Sequence, residues 1–288
     1  MELHQLRYFV AAAETGSFTR AAAREGVTQP SLSQAILRLE DSLDAKLFDR
    51  LGRSIALTAA GDELLVRAQT VLAAVGDAEK AVHGSATGGT LRLGAIPTVA
   101  PYLLPEACKH FVKAQPKFRL ELLEDRTERL LAAVTAGELD LAVMAMPVRD
   151  DRLHVEKLFA EPLRLAVPPK HRLAKLKQVR FADLVEEPFL ILDDLHCFGD
   201  QVWSLCRRAG GFEPRVVCRG EQIGTLLALV TAGLGVTVVP EMAAKADTGQ
   251  RVYVPFGNPQ PTRTLCVVWH KHRFRSPAVR AFVEQLKP

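Results

Sequence analysis

Between Leu192 and Gly211 the chain reads LDDLHCFGDQVWSLCRRAGG, with Cys197 and Cys206 nine positions apart and His196 directly before the first. A cysteine does chemistry as its thiolate, the nucleophile towards peroxides and disulfides. The pattern after Phe198 predicts a helix over roughly 199–208. Cys197 therefore precedes a helix start, where about half a positive charge favours an anion. His196 and Asp200 stand close by in sequence. A second thiol can condense with a sulfenic acid to give a disulfide. If most of the interval is helical, the two Cα atoms lie roughly 12–14 Å apart at ~1.5 Å per residue. A disulfide needs them within about 7 Å, so forming one would unwind the segment. The opposing reading is that cysteine is small and frequently buried, and that Cys206, near Val202 and Leu205, is simply core.

Composition narrows the remaining chemistry. Cys108, Cys218 and Cys266 lie in helix-like or strand-like runs and are assigned to the core. No C-x2-C pair occurs, which argues against a structural zinc site. There is no phosphate loop, nucleophile elbow or metal cluster in the pattern, so no enzyme, metal or cofactor is expected. His154, His171, His270 and His272 are expected at the surface. No apolar run is long enough to span a membrane. Glu2, His4 and Arg7 interrupt the N-terminus, so no secretory signal is expected and the cytoplasm is the expected compartment. The net charge is +4, and residues 1–58 hold seven Lys/Arg against seven Asp/Glu. Charge therefore does not mark this part as nucleic-acid binding, and any such reading rests on pattern.

The elements that position these residues can be read along the chain. Leu3, Leu6, Val10 and Ala13 fall at helical spacing. SFTRAAAREG is a second, short helix with Ser17 as N-cap and Gly26 past its end. A third helix begins at the Thr28 cap with Pro30 in its first turn. Leu32, Ile36, Leu39 and Leu43 form its apolar face, and Ser31, Gln34 and Arg38 a polar one. Two short helices around a tight turn, the second polar on its outward side, are the helix-turn-helix pattern. LFDRLGRSIALT then reads as a wing, with Gly52 at a hairpin turn and Arg50 and Arg53 beside it. This gives a DNA-binding domain over 1–58. Residues 59–88 form a linker helix and hinge. Leu64, Ala68, Val71, Val75, Ala78 and Val82 make a heptad seam that expects a partner helix; the alternative is packing against the chain's own body. From 89 to 288 strands and helices alternate, and RLLAAVTAGELDLAVMA is echoed by TLLALVTAGLGVTVVP. Two related α/β lobes follow, with a ligand expected in the cleft between them.

The opening LRYFVAAAETGSFTRAAAREGVTQPSLSQAILRLEDSLDAKLFDR, with this order of parts, closely resembles the LysR-type transcriptional regulators over the whole chain. The resemblance implies a sequence-specific regulator, usually a tetramer of two dimers. Its partners would be double-stranded promoter or operator DNA, further copies of itself and RNA polymerase. Its C-terminal region would have a two-lobed periplasmic-binding-protein-like fold that senses an effector. GAIPTVAPYLLP, HCFGDQ with a cysteine nine residues on, and PTRT are similar to the peroxide-sensing members of the family. Carried over motif by motif, Cys197 would react with hydrogen peroxide and Cys206 would resolve the product. Thr98, Thr127, His196, Asp200 and Arg263 would surround the peroxide. Leu195 departs from those members, which typically carry glycine there. The resemblance also implies Thr28, Gln29, Ser31, Ser33, Gln34 and Arg38 in or near the major groove. Arg50 and Arg53 would contact the backbone or minor groove. A second reading within the family is a regulator gated by a small organic, carboxylate-like effector. That ligand would sit in the cleft beside Thr98, Thr127 and helix-start N–H groups, with the cysteines as bystanders.

Overall fold

The computed structural model describes residues 1–51, 54–83, 88–193 and 197–287. The expected hairpin turn at Gly52, Arg53, hinge residues 84–87, and Leu195 with His196 lie outside these. The chain divides into two compact units. One is Met1–Ala86 with the short segments Thr135–Glu138 and His272–Ser276, and the other is the remainder.

In the first unit, α1 (Leu3–Thr15), α2 (Phe18–Glu25) and α3 (Gln29–Leu43) start and stop where the local chemistry dictates. Ser17 Oγ accepts from the Arg20 amide at 3.5 Å, and Thr28 Oγ1 from the Ser31 amide at 3.3 Å. Each satisfies one of the amides a helix start leaves unpaired. Gly16 and Gly26 end the first two helices in the left-handed region, at φ 61° and 68°. Phe9, Leu32, Ile36 and Leu39 form the centre of the core, while Leu3 and Leu43 are exposed because the helix ends outrun it. A buried carboxylate then redirects the chain. Glu40 accepts from the Leu47 amide at 2.8 Å, the Phe48 amide at 3.3 Å and Lys46 Nζ at 3.1 Å. This launches β1 (Phe48–Leu51), which pairs antiparallel with β2 (Ser54–Leu57). The linker helix α4 (Ala59–His83) starts where Thr58 Oγ1 accepts from the Gly61 amide at 3.1 Å. Along the heptad stripe, Ala68 is buried in the same core and Leu64 packs against it, whereas Val71 is 42% exposed.

The second unit has two lobes with separate hydrophobic cores. In the first, β3 (Gly89–Ala95) runs parallel to β4 (Phe118–Glu124) and β5 (Leu141–Ala145). Helices α5 (Ala100–Ala114), α6 (Thr127–Ala136) and α10 (Pro277–Gln285) contribute to the same core. The long strand β6 (Leu153–Val167) pairs antiparallel with β11 (Thr262–His270) as far as Pro162, then continues into the second lobe. There it pairs with β9 (Thr237–Pro240) and β10 (Val252–Pro255). The second lobe also contains β7 (Pro188–Leu192) parallel to β8 (Arg215–Gly220), with α7 (Cys197–Leu205), α8 (Ile223–Thr231) and α9 (Glu241–Ala246). The echoed phrases are equivalent pieces: α6 leads to β5 and α8 to β9, each through a left-handed glycine, Gly137 at φ 84° and Gly233 at φ 80°. No helix among the described residues is long and apolar enough to cross a membrane.

Replacing Glu40 with alanine leaves two buried amides without an acceptor, each costing about 1–3 kcal/mol. Urea unfolding of the full-length chain is expected to show the N-terminal unit weakened by about 2–6 kcal/mol, and Glu40→Gln, which keeps one acceptor oxygen, by less.

Candidate functional site

The two lobes bring several of the singled-out residues together. Thr98 follows the C-terminal end of β3, Thr127 opens α6, Cys197 opens α7 and Arg263 lies near the start of β11. Thr127 Oγ1 is 3.7 Å from Cys197 Sγ and donates to it. Arg263 donates from Nη1 to Thr98 Oγ1 at 2.8 Å and from Nη2 to the Thr98 carbonyl at 2.9 Å. The face of Phe198 lies against the guanidinium, 5.2 Å from its Cζ. Ile96, Pro97, Thr98, Arg126, Thr127, Cys197 and Phe198 enclose a cavity of about 10 Å3. That is space for one molecule of water's size.

Local sequence explains how Cys197 is held there. A Cβ on Gly199 would come within 2.4 Å of the Leu192 carbonyl oxygen, so only glycine lets the first turn of α7 press against the end of β7. Gln201 adds a bond from Nε2 to the Met146 carbonyl at 3.2 Å. Asp200, on the same first turn, is exposed and does not line the cavity. His196 lies outside the described residues.

The two cysteines are free thiols in different surroundings. Cys197 is partly exposed and packs on the core of the first lobe, whereas Cys206 is fully buried in the core of the second. The stretch Cys197–Leu205 is α-helical and Cys206–Gly210 is a π-helical turn. At about 1.5 Å of rise per residue, the helix holds the two Cα atoms about 13 Å apart, beyond disulfide range. A helix start favours thiolate, but burial outweighs it. Burial raises the Cys197 pKa above the usual thiol value; the Thr127 hydrogen bond and the Arg263 charge oppose the rise, while Glu128 and Asp200 add to it. Burial pushes Cys206 up to about 12. Burial likewise pushes Cys266 up to about 12.

Sequence reasoning missed Glu161, Phe198, Arg126 and Gln201. Glu161 left one trace, a lone carboxylate in the apolar strand run LFAEPLRLAV. Phe198 and Gln201 lay inside the quoted HCFGDQ motif without being singled out, and Arg126 carried no pattern that distinguishes it from a surface residue.

On the first unit, Thr28, Gln29, Ser31, Gln34 and Arg38 are exposed on α3, and Ser33 is half-buried. Gln29 Nε2 donates to Ser33 Oγ at 2.9 Å, and the Thr28 and Ser31 hydroxyls pair at 2.8 Å. Arg50 lies on β1 and Arg53 lies outside the described residues.

Comparison with known proteins fits this arrangement. Residues 3–62 match the bacterial regulatory helix-turn-helix proteins of the lysR family, and residues 84–288 match the LysR substrate binding domain. A hydrogen peroxide-inducible genes activator of Dickeya chrysanthemi is 38% identical over 274 residues, covering 93% of this chain and 89% of that protein. A full-length OxyR variant from Pseudomonas aeruginosa is 30% identical, with a TM-score of 0.83 over 99% of this chain and 93% of that one. A Corynebacterium glutamicum OxyR variant with bound H2O2 is 32% identical, with a TM-score of 0.65 over 99% and 93%. A lysR-type helix-turn-helix and a LysR substrate binding domain, matched in sequence on either side of the α4 helix, make this chain a member of the LysR family of bacterial transcriptional regulators.

Proposed function

We propose that the chain is a cytoplasmic, peroxide-responsive transcription regulator whose switch is the Cys197–Cys206 pair. The observation that carries this reading is the cavity itself: Cys197 shares about 10 Å3 with two threonine hydroxyls beside a buried arginine. Organic ligands occupy pockets of about 300–1,000 Å3, so this space suits a small oxygen species better than a carboxylate effector. In the first step the Cys197 thiolate attacks one peroxide oxygen and the O–O bond breaks. Two electrons pass from sulfur to oxygen, and hydroxide leaves and is protonated to water, giving sulfenic acid. The Cys206 thiol then displaces water from that sulfur to form the disulfide. Because α7 keeps the thiols apart, this second step requires the helix to unwind, and a change of shape follows from a change of oxidation state. The role is regulatory rather than enzymatic. Sequence-specific DNA would bind through α3 and the wing, with further copies joining through α4 into a dimer and then a tetramer, and RNA polymerase as a further partner.

Cys197→Ser is expected to abolish peroxide-dependent regulation. Cys206→Ser is expected still to oxidise at Cys197 but to stop at sulfenic acid or a mixed disulfide, read by mass of the modified peptide. Normal regulation by Cys197→Ser, with no 197–206 bridge in the oxidised wild type, would favour the organic-effector reading.

Gln34→Ala or Arg38→Ala is expected to weaken specific binding by about 1–3 kcal/mol while sparing binding to random DNA, measured by titration at fixed salt. Equal losses on both DNAs would assign these residues to the phosphate backbone.

Val71→Glu places a charge on the exposed part of the α4 stripe. Sedimentation is expected to show the dimer separating; an unchanged oligomer would move the interface elsewhere.

A further inference from the structure

Glu161 is a carboxylate in the middle of β6 and is 2% exposed. It stands directly opposite Arg263 in the antiparallel register of β6 and β11. Its Oε2 accepts from Arg263 Nε at 2.7 Å and its Oε1 from the Met242 amide, in the first turn of α9, at 2.8 Å. Both carboxylate oxygens are therefore engaged, one on the arginine and one on the second lobe. Arg263, itself 3% exposed, spends its remaining reach on Thr98.

A threonine hydroxyl has one hydrogen to give and two lone pairs to receive with. Arg263 Nη1 has no lone pair to offer, so the bond at 2.8 Å uses an acceptor site of Thr98 Oγ1. The Thr98 hydrogen is left to point elsewhere, and Thr98 lines the cavity shared with Thr127 and Cys197. We propose that Glu161 is a positioning residue of the Cys197 site: by fixing Arg263 on Thr98, it sets the Thr98 hydroxyl as a donor to an oxygen bound beside the sulfur. Without the carboxylate, a buried guanidinium keeps its charge but loses its counter-ion, and it relaxes away from Thr98. This inference rests on the peroxide-sensing reading and adds to it a residue that no contact with the cavity would reveal.

The test uses the full-length chain in a Cys206→Ser background, so that oxidation stops at Cys197. Two rate constants are measured at the same pH, for hydrogen peroxide and for iodoacetamide, with the modified site located by mass. Both reagents need the thiolate, but only peroxide has a leaving oxygen that profits from a donor. Glutamine offers one acceptor oxygen where two are in use. Glu161→Gln is expected to slow the peroxide reaction by at least about tenfold and to leave alkylation within about threefold of its value before substitution. Glu161→Asp keeps the charge at shorter reach and is expected to recover part of the loss. In a double-mutant cycle, Glu161→Gln combined with Thr98→Val is expected to be no slower than Thr98→Val alone, since both remove the same donor. Losses that multiply, or a Glu161→Gln chain as fast as its parent, overturn the proposal. If Glu161→Gln fails to fold, the same cycle with Glu161→Asp decides it. A Cys206→Ser parent that reacts with peroxide no faster than free cysteine ends the sensing reading and this proposal with it. A fast parent with unaffected variants ends the proposal alone.

Discussion

One buried cation organises the centre of the second unit. Taking a guanidinium out of water is costly unless its charge is matched and its N–H groups are used. Arg263 meets both conditions by binding Glu161 across the strand pair and Thr98 at the end of β3. Glu161 in turn takes an amide from the start of α9. The end of β3, the strands crossing between lobes and a helix of the second lobe are thus tied to a single point. The small volume beside Cys197 is bordered by two of the groups the arginine meets, Thr98 and the ring of Phe198.

The same compactness sets the character of the thiol. A helix start, Thr127 and Arg263 all favour the anion, while the low-dielectric surroundings push the Cys197 pKa up. In the proposed reaction, the rate at such a sulfur depends on how an incoming oxygen is received as well as on the thiolate. Cys206 is more deeply buried still, and while α7 stays folded it is both out of reach and out of the reactive form. While α7 stays folded, no bridge between the two sulfurs can form.

Much of the fold could be read from local signals. Ser17, Thr28, Gly16 and Gly26 punctuate the helices where their chemistry requires, and the repeated TAG turn reappears as paired left-handed glycines joining helix to strand. The placement of Thr98 and Thr127 beside Cys197 was legible only by resemblance, because it depends on three segments meeting across a sheet. The Arg263–Glu161 pair was not legible at all: the residues lie 102 positions apart, and only the register of β6 against β11 sets them face to face. The upward push of burial on the Cys197 pKa was not legible either, since the depth at which a helix start is buried is a property of the packed lobes. Glu40 belongs to the same class, an acidic residue on a helix whose task is to receive the amides of the turn that follows.

The two ends of α7 are not equivalent, and this gives its motion a direction. At the Cys197 end Gly199 is wedged against the Leu192 carbonyl, and Gln201 fastens the second turn to Met146. At the Cys206 end the helix widens into a π-turn and stops at Gly211, φ 69°. Single π-turns are rare and recur at functional sites. Under the proposed switch, the helix would therefore open from the Cys206 side while the Cys197 side stays anchored. The moving sulfur would be the one drawn from the core, and the catching thiol would travel to a target that has not shifted.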